Sequence, residues 1–92
     1  MYYSVTPILS KILKERNITQ SEFAELTGIS QATISRFDRS SQHLDMHLVI
    51  ISRALDLSIE DLFTIIEQGW IDDDGQIYHG VKKISEIKKD NK

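Results

Sequence analysis

Apolar residues recur at intervals of three and four along about two-thirds of this chain, and the interval then changes to two. The first periodic stretch, TPILSKILKERN, places Leu9, Ile12 and Leu13 on one helical side, with Arg16 one turn on. Thr6 is its expected cap, Pro7 its first helical residue and Asn17 its stop. A second helix is expected from Thr19, whose hydroxyl can accept an early backbone N–H while Glu22, three residues on, answers it as a capping box. Phe23, Ala24 and Leu26 are its expected buried side, and Gly28 closes it where a left-handed residue is wanted. Two residues later Ser30 caps a third helix, QATISRFD. After a polar loop, RSSQHL, Asp45 is the expected cap of a fourth helix with Leu48, Ile51 and Leu55 on one side. Ser58 is the expected cap of a fifth, with Ile59, Leu62, Phe63 and Ile66 inward and Gly69 as its stop.

Period two then takes over. WIDDDGQIYH has two alternating apolar runs around Asp-Asp-Gly and reads as a hairpin. Tyr2, Tyr3 and Val5 alternate in the same way and are candidates to pair with it. The tail, VKKISEIKKDNK, spaces Val81, Ile84 and Ile87 by three amid lysines, a pattern compatible with a frayed helix or with disorder.

The third helix carries the chemistry. With Ile34 at the centre of its buried side, Phe37 lies close by, and Ala32, Arg36 and Arg39 point the opposite way, flanked by Thr33 and Ser35. That outer face is slim at its centre and bears few but directional groups, which is what a helix entering a DNA major groove requires. Gln31 can pair with adenine N6/N7 and Arg36 with guanine O6/N7, while methyl groups of Ala32 or Thr33 can touch thymine. Gln20 and the amides at the tip of the second helix can meet a phosphate, and Arg39, Ser40, Ser41, Gln42 and His43 supply polar groups for the DNA backbone.

The run TQSEFAELTGISQATISRFDR resembles the helix-turn-helix of the phage-repressor and Cro family, also called Xre-like. The likeness spans about residues 8–68 and rests on Thr19-Gln20, Ala24, Gly28, Ser30-Gln31, Ile34-Ser35, Phe37-Asp38 and the LSIEDLF run at Leu57–Phe63. It implies an all-α, five-helix phage-repressor-like domain over residues 6–68; the small C-terminal β-hairpin and basic tail over 69–92 are read from the residue pattern alone and fall outside the likeness. It further implies DNA contact through Gln20, Gln31, Ala32, Thr33, Ser35 and Arg36, by a homodimer on inverted half-sites one helical turn apart. The chain departs from the family pattern where Leu13 replaces an arginine that usually pairs with an acid at the Asp38 position. Phe37 stands where Trp or Leu is usual, and the loop RSSQH carries less charge than its family equivalents.

Charge qualifies this picture. The net charge of the 92 residues is −3, the main argument against nucleic acid, yet it is unevenly spread. Residues 1–44 sum to +1, residues 45–75 to −7 and residues 76–92 to +3. Salt screens exposed charges beyond about 10 Å, so one face can bind phosphate while another is acidic. Non-specific affinity should still be weak. There is no cysteine, hence no disulfide framework, thiolate zinc site or cysteine nucleophile. The longest uninterrupted apolar run, Leu48–Ile51, is far short of the roughly 20 residues of a membrane span. The start MYYSVTP lacks the features of a signal peptide, so a cytoplasmic protein is expected. His43 and His47 stand at a zinc-compatible spacing, but the expected cap at Asp45 starts the helix between them. DDDG lacks the rest of a calcium loop. No catalytic set and no phosphate-binding glycine loop is present, so an enzyme is not expected, nor is a cofactor or metal.

Two functional readings remain. The first is a sequence-specific transcriptional regulator, a repressor on double-stranded DNA, dimerising through Ile65, Ile66, Trp70, Ile71, Ile77 and Tyr78, although Trp70, Ile71, Ile77 and Tyr78 can equally close the core. The second is an interaction module that binds a regulatory protein, such as an antirepressor or a toxin partner, through residues 65–80.

Overall fold

The computed structural model describes residues 3–81 and 83–87; Tyr2, Lys82 and residues 88–92 of the expected basic tail lie outside them. Four helices run between residues 9 and 55: α1 (Leu9–Glu15), α2 (Gln20–Thr27), α3 (Gln31–Arg36) and α4 (Asp45–Leu55). Strand β1 (Tyr3–Pro7) precedes them, and β2 (Phe63–Glu67), β3 (Gly69–Ile71) and β4 (Ile77–His79) follow, with a single helical turn, α5, at Ile84–Ile87. Strands β1 and β2 form one two-stranded sheet; β3 and β4 form another, antiparallel, with Trp70 opposite Tyr78 and Ile71 opposite Ile77. The chain divides into two compact units, residues 6–64 and residues 1–5 with 65–92.

The buried apolar side chains belong to the first unit. Leu9, Ile12 and Leu13 of α1, Phe23 of α2, Ile29, Ile34 and Phe37 around α3, Ile51 and Leu55 of α4, and Leu62 make one cluster. The expected helical stripes account for most of it. Leu26 departs from expectation and is 68% exposed. At about 100° per residue, Phe23, Ala24 and Thr27 share one arc of α2, and Leu26 falls outside it.

The expected fifth helix is not formed. Ser58 and Asp61 do close a reciprocal cap, Asp61 N–H to Ser58 Oγ at 3.2 Å and Ser58 N–H to Asp61 Oδ2 at 3.1 Å, but it starts only a 3-10 turn, Glu60–Leu62. The chain then becomes extended as β2. Thr64, Ile65 and Ile66 are three consecutive β-branched residues, which favour a strand once a partner is available. That partner is β1. The expected N-terminal strand therefore exists but pairs with β2 and not with the hairpin.

The same pairing moves the start of α1. Thr6 and Pro7 end β1, and the Ile8 N–H donates to the Leu62 carbonyl at 2.9 Å. The helix begins at Leu9 without a cap from its own sequence neighbours. Its acceptor comes from far along the chain: Asp38 takes the Leu9 N–H at 2.8 Å and the Ser10 N–H at 3.1 Å. Asp38 thus finds backbone amides, where the family pattern pairs its acid with an arginine, and Leu13 is free to be buried, at 2% exposure. Asp45 likewise does not cap α4; it is the helix's first residue, and no side chain caps that end. At the other end of α4, Arg16 Nη1 donates to the Leu55 carbonyl at 2.6 Å and helps close that helix end.

Candidate nucleic-acid interface

Local signals build the corner between α2 and α3. Glu22 N–H donates to Thr19 Oγ1 and Thr19 N–H to Glu22 Oε1, both at 3.0 Å. The two bonds from Thr19, its backbone N–H first, hold the Glu22 carboxyl below the usual glutamate range. Gly28 closes α2 with φ +74°, a left-handed conformation that glycine adopts without the Cβ penalty. Ser30 Oγ then accepts the Thr33 N–H at 3.2 Å and donates to Thr33 Oγ1 at 2.8 Å. Only Gly28 and Ile29 separate the end of α2 from the cap of α3, so the second helix is held firmly against the first.

Ile34 and Phe37 anchor α3 from behind, at 1% and 2% exposure. Ala32 and Arg36 are exposed on the far side, Gln31 is exposed at the N-terminal tip of the helix, and Thr33 and Ser35 are half-buried at its flanks. The five side chains expected to read bases therefore lie on or beside one accessible face. Among those expected to meet the DNA backbone, Arg39, Ser41 and Gln42 are exposed, while Gln20, Ser40 and His43 are half-buried. Beside Arg36 opens a groove of about 210 Å³, lined among others by Thr33, Ser40, Gln42, Leu44 and His47. Leu44 and His47 had no expected role. Their place just after the loop, at the start of α4, was the available signal.

The six residues expected to pair two copies do not share one surface. Trp70 and Tyr78 stack at 4.5 Å between ring centroids on one side of the hairpin and are half-buried. Trp70 Nε1–H donates to the Gly80 carbonyl at 2.7 Å. Ile71 and Ile77, next along each strand, therefore face the other side, and they are 67% and 68% exposed. Ile65 is half-buried and Ile66 is exposed. The hairpin turn is made by Asp72, whose Oδ1 accepts the N–H groups of Asp74 and Gln76, both at 2.9 Å. Its carboxylate is thus used by the turn, as the reading of DDDG as a turn requires. Among the described residues, no helix is long and apolar enough to cross a membrane.

Two capped helices set at a glycine corner, the second anchored from behind and presenting a narrow polar face, define a helix-turn-helix nucleic-acid-binding domain. Residues 9–68 match the Cro/C1-type HTH DNA-binding domain, and the chain belongs to that family. No curated protein and no solved structure matched it. The family assignment makes it a DNA-binding regulator and agrees with the likeness seen in the TQSEFAELTGISQATISRFDR run.

Proposed function

We propose that the protein is a sequence-specific transcriptional repressor that binds an inverted-repeat operator as a homodimer, with α3 in the major groove. Gln31 and Arg36 read base edges, and Ala32, Thr33 and Ser35 let the helix approach closely. Gln20, Arg39 and the loop at Ser40–Gln42 set the register on the DNA backbone. In this reading residues 6–68 bind the duplex and residues 69–92 pair the two copies, through the exposed Ile71 and Ile77. The observation that carries it is the exposure of Ala32 and Arg36 opposite the buried Ile34, with Gln31 exposed at the helix tip.

Selection of bound fragments from random DNA tests it. The expected result is an inverted repeat whose half-site centres lie about 10 base pairs apart, the spacing at which two reading helices meet the same face of the duplex. A lone half-site would remove the dimer. No enrichment even at low salt would remove DNA recognition and leave the interaction module, docking a regulatory protein through residues 65–80.

A further inference from the structure

A helix leaves its last carbonyls without intrahelical partners, and α3 finds its partners in the loop that follows. The helix passes into one 3-10 turn, Phe37–Arg39, and two side chains fold back onto it. Ser40 Oγ donates to the Arg36 carbonyl at 3.0 Å. His43 Nε2 stands 2.8 Å from the Phe37 carbonyl. A carbonyl oxygen only accepts, so Nε2 carries the proton and donates. The same carbonyl receives the Ser40 N–H at 3.3 Å. The imidazole also lies on the Phe37 ring, 4.0 Å between centroids, and meets Phe63 edge-on at 6.0 Å. One hydrogen bond and two aromatic contacts thus fix a side chain that sequence alone placed among the phosphate contacts.

We infer that His43 is a positioning residue for DNA recognition: it locks the end of the reading helix and residues 40–43 into one shape and does not itself neutralise a phosphate. The inference rests on the proposal that α3 docks on DNA. To reach a phosphate with Nε2, the ring would have to give up the Phe37 carbonyl and the tilted contact with the Phe37 ring together. Held where it is, it sets Ser40 and Gln42 along the groove that Arg36 borders. A loop ordered before the encounter loses little conformational freedom on binding, and this favours affinity without any new contact.

The test compares the wild-type protein with His43→Ala and His43→Phe; the second keeps a ring against Phe37 and loses the donor. In the free protein, nitrogen-15 NMR of wild type should show the Nε2–H tautomer. Backbone order parameters at residues 39–43 should fall in His43→Ala and fall less in His43→Phe, with α2 unchanged. On DNA, well below the unfolding temperature, His43→Ala should weaken operator binding about tenfold, the order of one missing hydrogen bond with its ordering. Its non-specific affinity and the slope of log K against log salt should stay as in wild type. A slope shallower by about 0.9, the change expected when the protein neutralises one phosphate fewer, would overturn the inference. So would unchanged order at residues 39–43 in His43→Ala. If the wild-type protein binds no DNA at low salt, the proposed function fails, and the order parameters still decide whether His43 fixes the loop.

Discussion

Replacing Asp38 with alanine removes both side-chain acceptors from the start of α1 at once. The Leu9 N–H, bonded at 2.8 Å, belongs to a residue with no solvent exposure; the Ser10 N–H, at 3.1 Å, lies at the surface, where water can replace the carboxylate. Loss of a helix cap costs about 1 kcal/mol, within roughly 0.5–2. The negative charge near the positive end of the helix adds about 0.5 kcal/mol, and a buried amide left without a partner costs about 1 kcal/mol or more. These figures overlap, because they describe the same two bonds, so the expected total is about 2 kcal/mol. For a chain of 92 residues that corresponds to a fall in Tm of about 10 °C. Asp38→Asn keeps an oxygen for the Leu9 N–H and loses the charge and the second acceptor, so it should cost about half as much. Urea denaturation followed by far-UV circular dichroism measures both, with m expected to stay constant. If Asp38→Ala lies within about 0.3 kcal/mol of wild type, smaller than any of these contributions, the tie between α1 and the turn that follows α3 carries no stability. If Asp38→Asn is as costly as Asp38→Ala, the Leu9 amide does not depend on a side-chain oxygen and the assigned geometry is wrong.

Three further expectations follow from the site and from the hairpin. Arg36→Ala should cost about 1–3 kcal/mol at a single base position; affinity across an operator series substituted one base pair at a time measures this, and an equal loss on all sequences would make Arg36 a phosphate contact. The folded-state pKa of Glu22 is depressed by its bonds with Thr19, so its charge stabilises the fold above the unfolded glutamate value, and that contribution fades as pH falls through the lower folded value. The stability gap between wild type and Glu22→Gln should therefore be full at neutral pH and shrink in acid, and a gap that widens in acid in urea titrations would refute the capping box. Gly80 has φ +72°, and a Cβ there would lie 2.5 Å from the Tyr3 hydroxyl oxygen. Gly80→Ala should cost about 2 kcal/mol locally and loosen the Trp70 indole from the Gly80 carbonyl; the emission of Trp70, the one tryptophan, should shift to the red, and an unchanged spectrum would contradict the packing.

The elements that matched expectation share a property: their signals and their partners lie within a few residues of each other. Thr19 and Glu22 are three apart, Ser30 and Thr33 are three apart, and Gly28 needs only its own backbone. Ile34 and Phe37 follow from helical period and from a core that needs anchors on that side. The hairpin from Gly69 to His79 is equally local, with Asp72 and Gly75 making its turn. The mistaken elements fail together. Pro7 reads as a helix start and Ser58 as another, yet residues 3–7 and 63–67 pair with each other across the length of the helical region. Each segment becomes a strand because the other is present. Leu26 was misplaced because period alone gives a direction and not the width of the surface that covers it.

The two-helix corner and the narrow face of α3 are legible in the residues alone, because caps, a left-handed glycine and a 3.6-residue period act within one or two turns of chain. The places of Asp38 and His43 are set only once distant segments meet. A carboxylate and an imidazole are taken up by whichever backbone groups stand unsatisfied nearby, here the first amides of α1 and a carbonyl just past the end of α3, and the folded arrangement chose between those groups and the solvent or DNA that the sequence equally allowed.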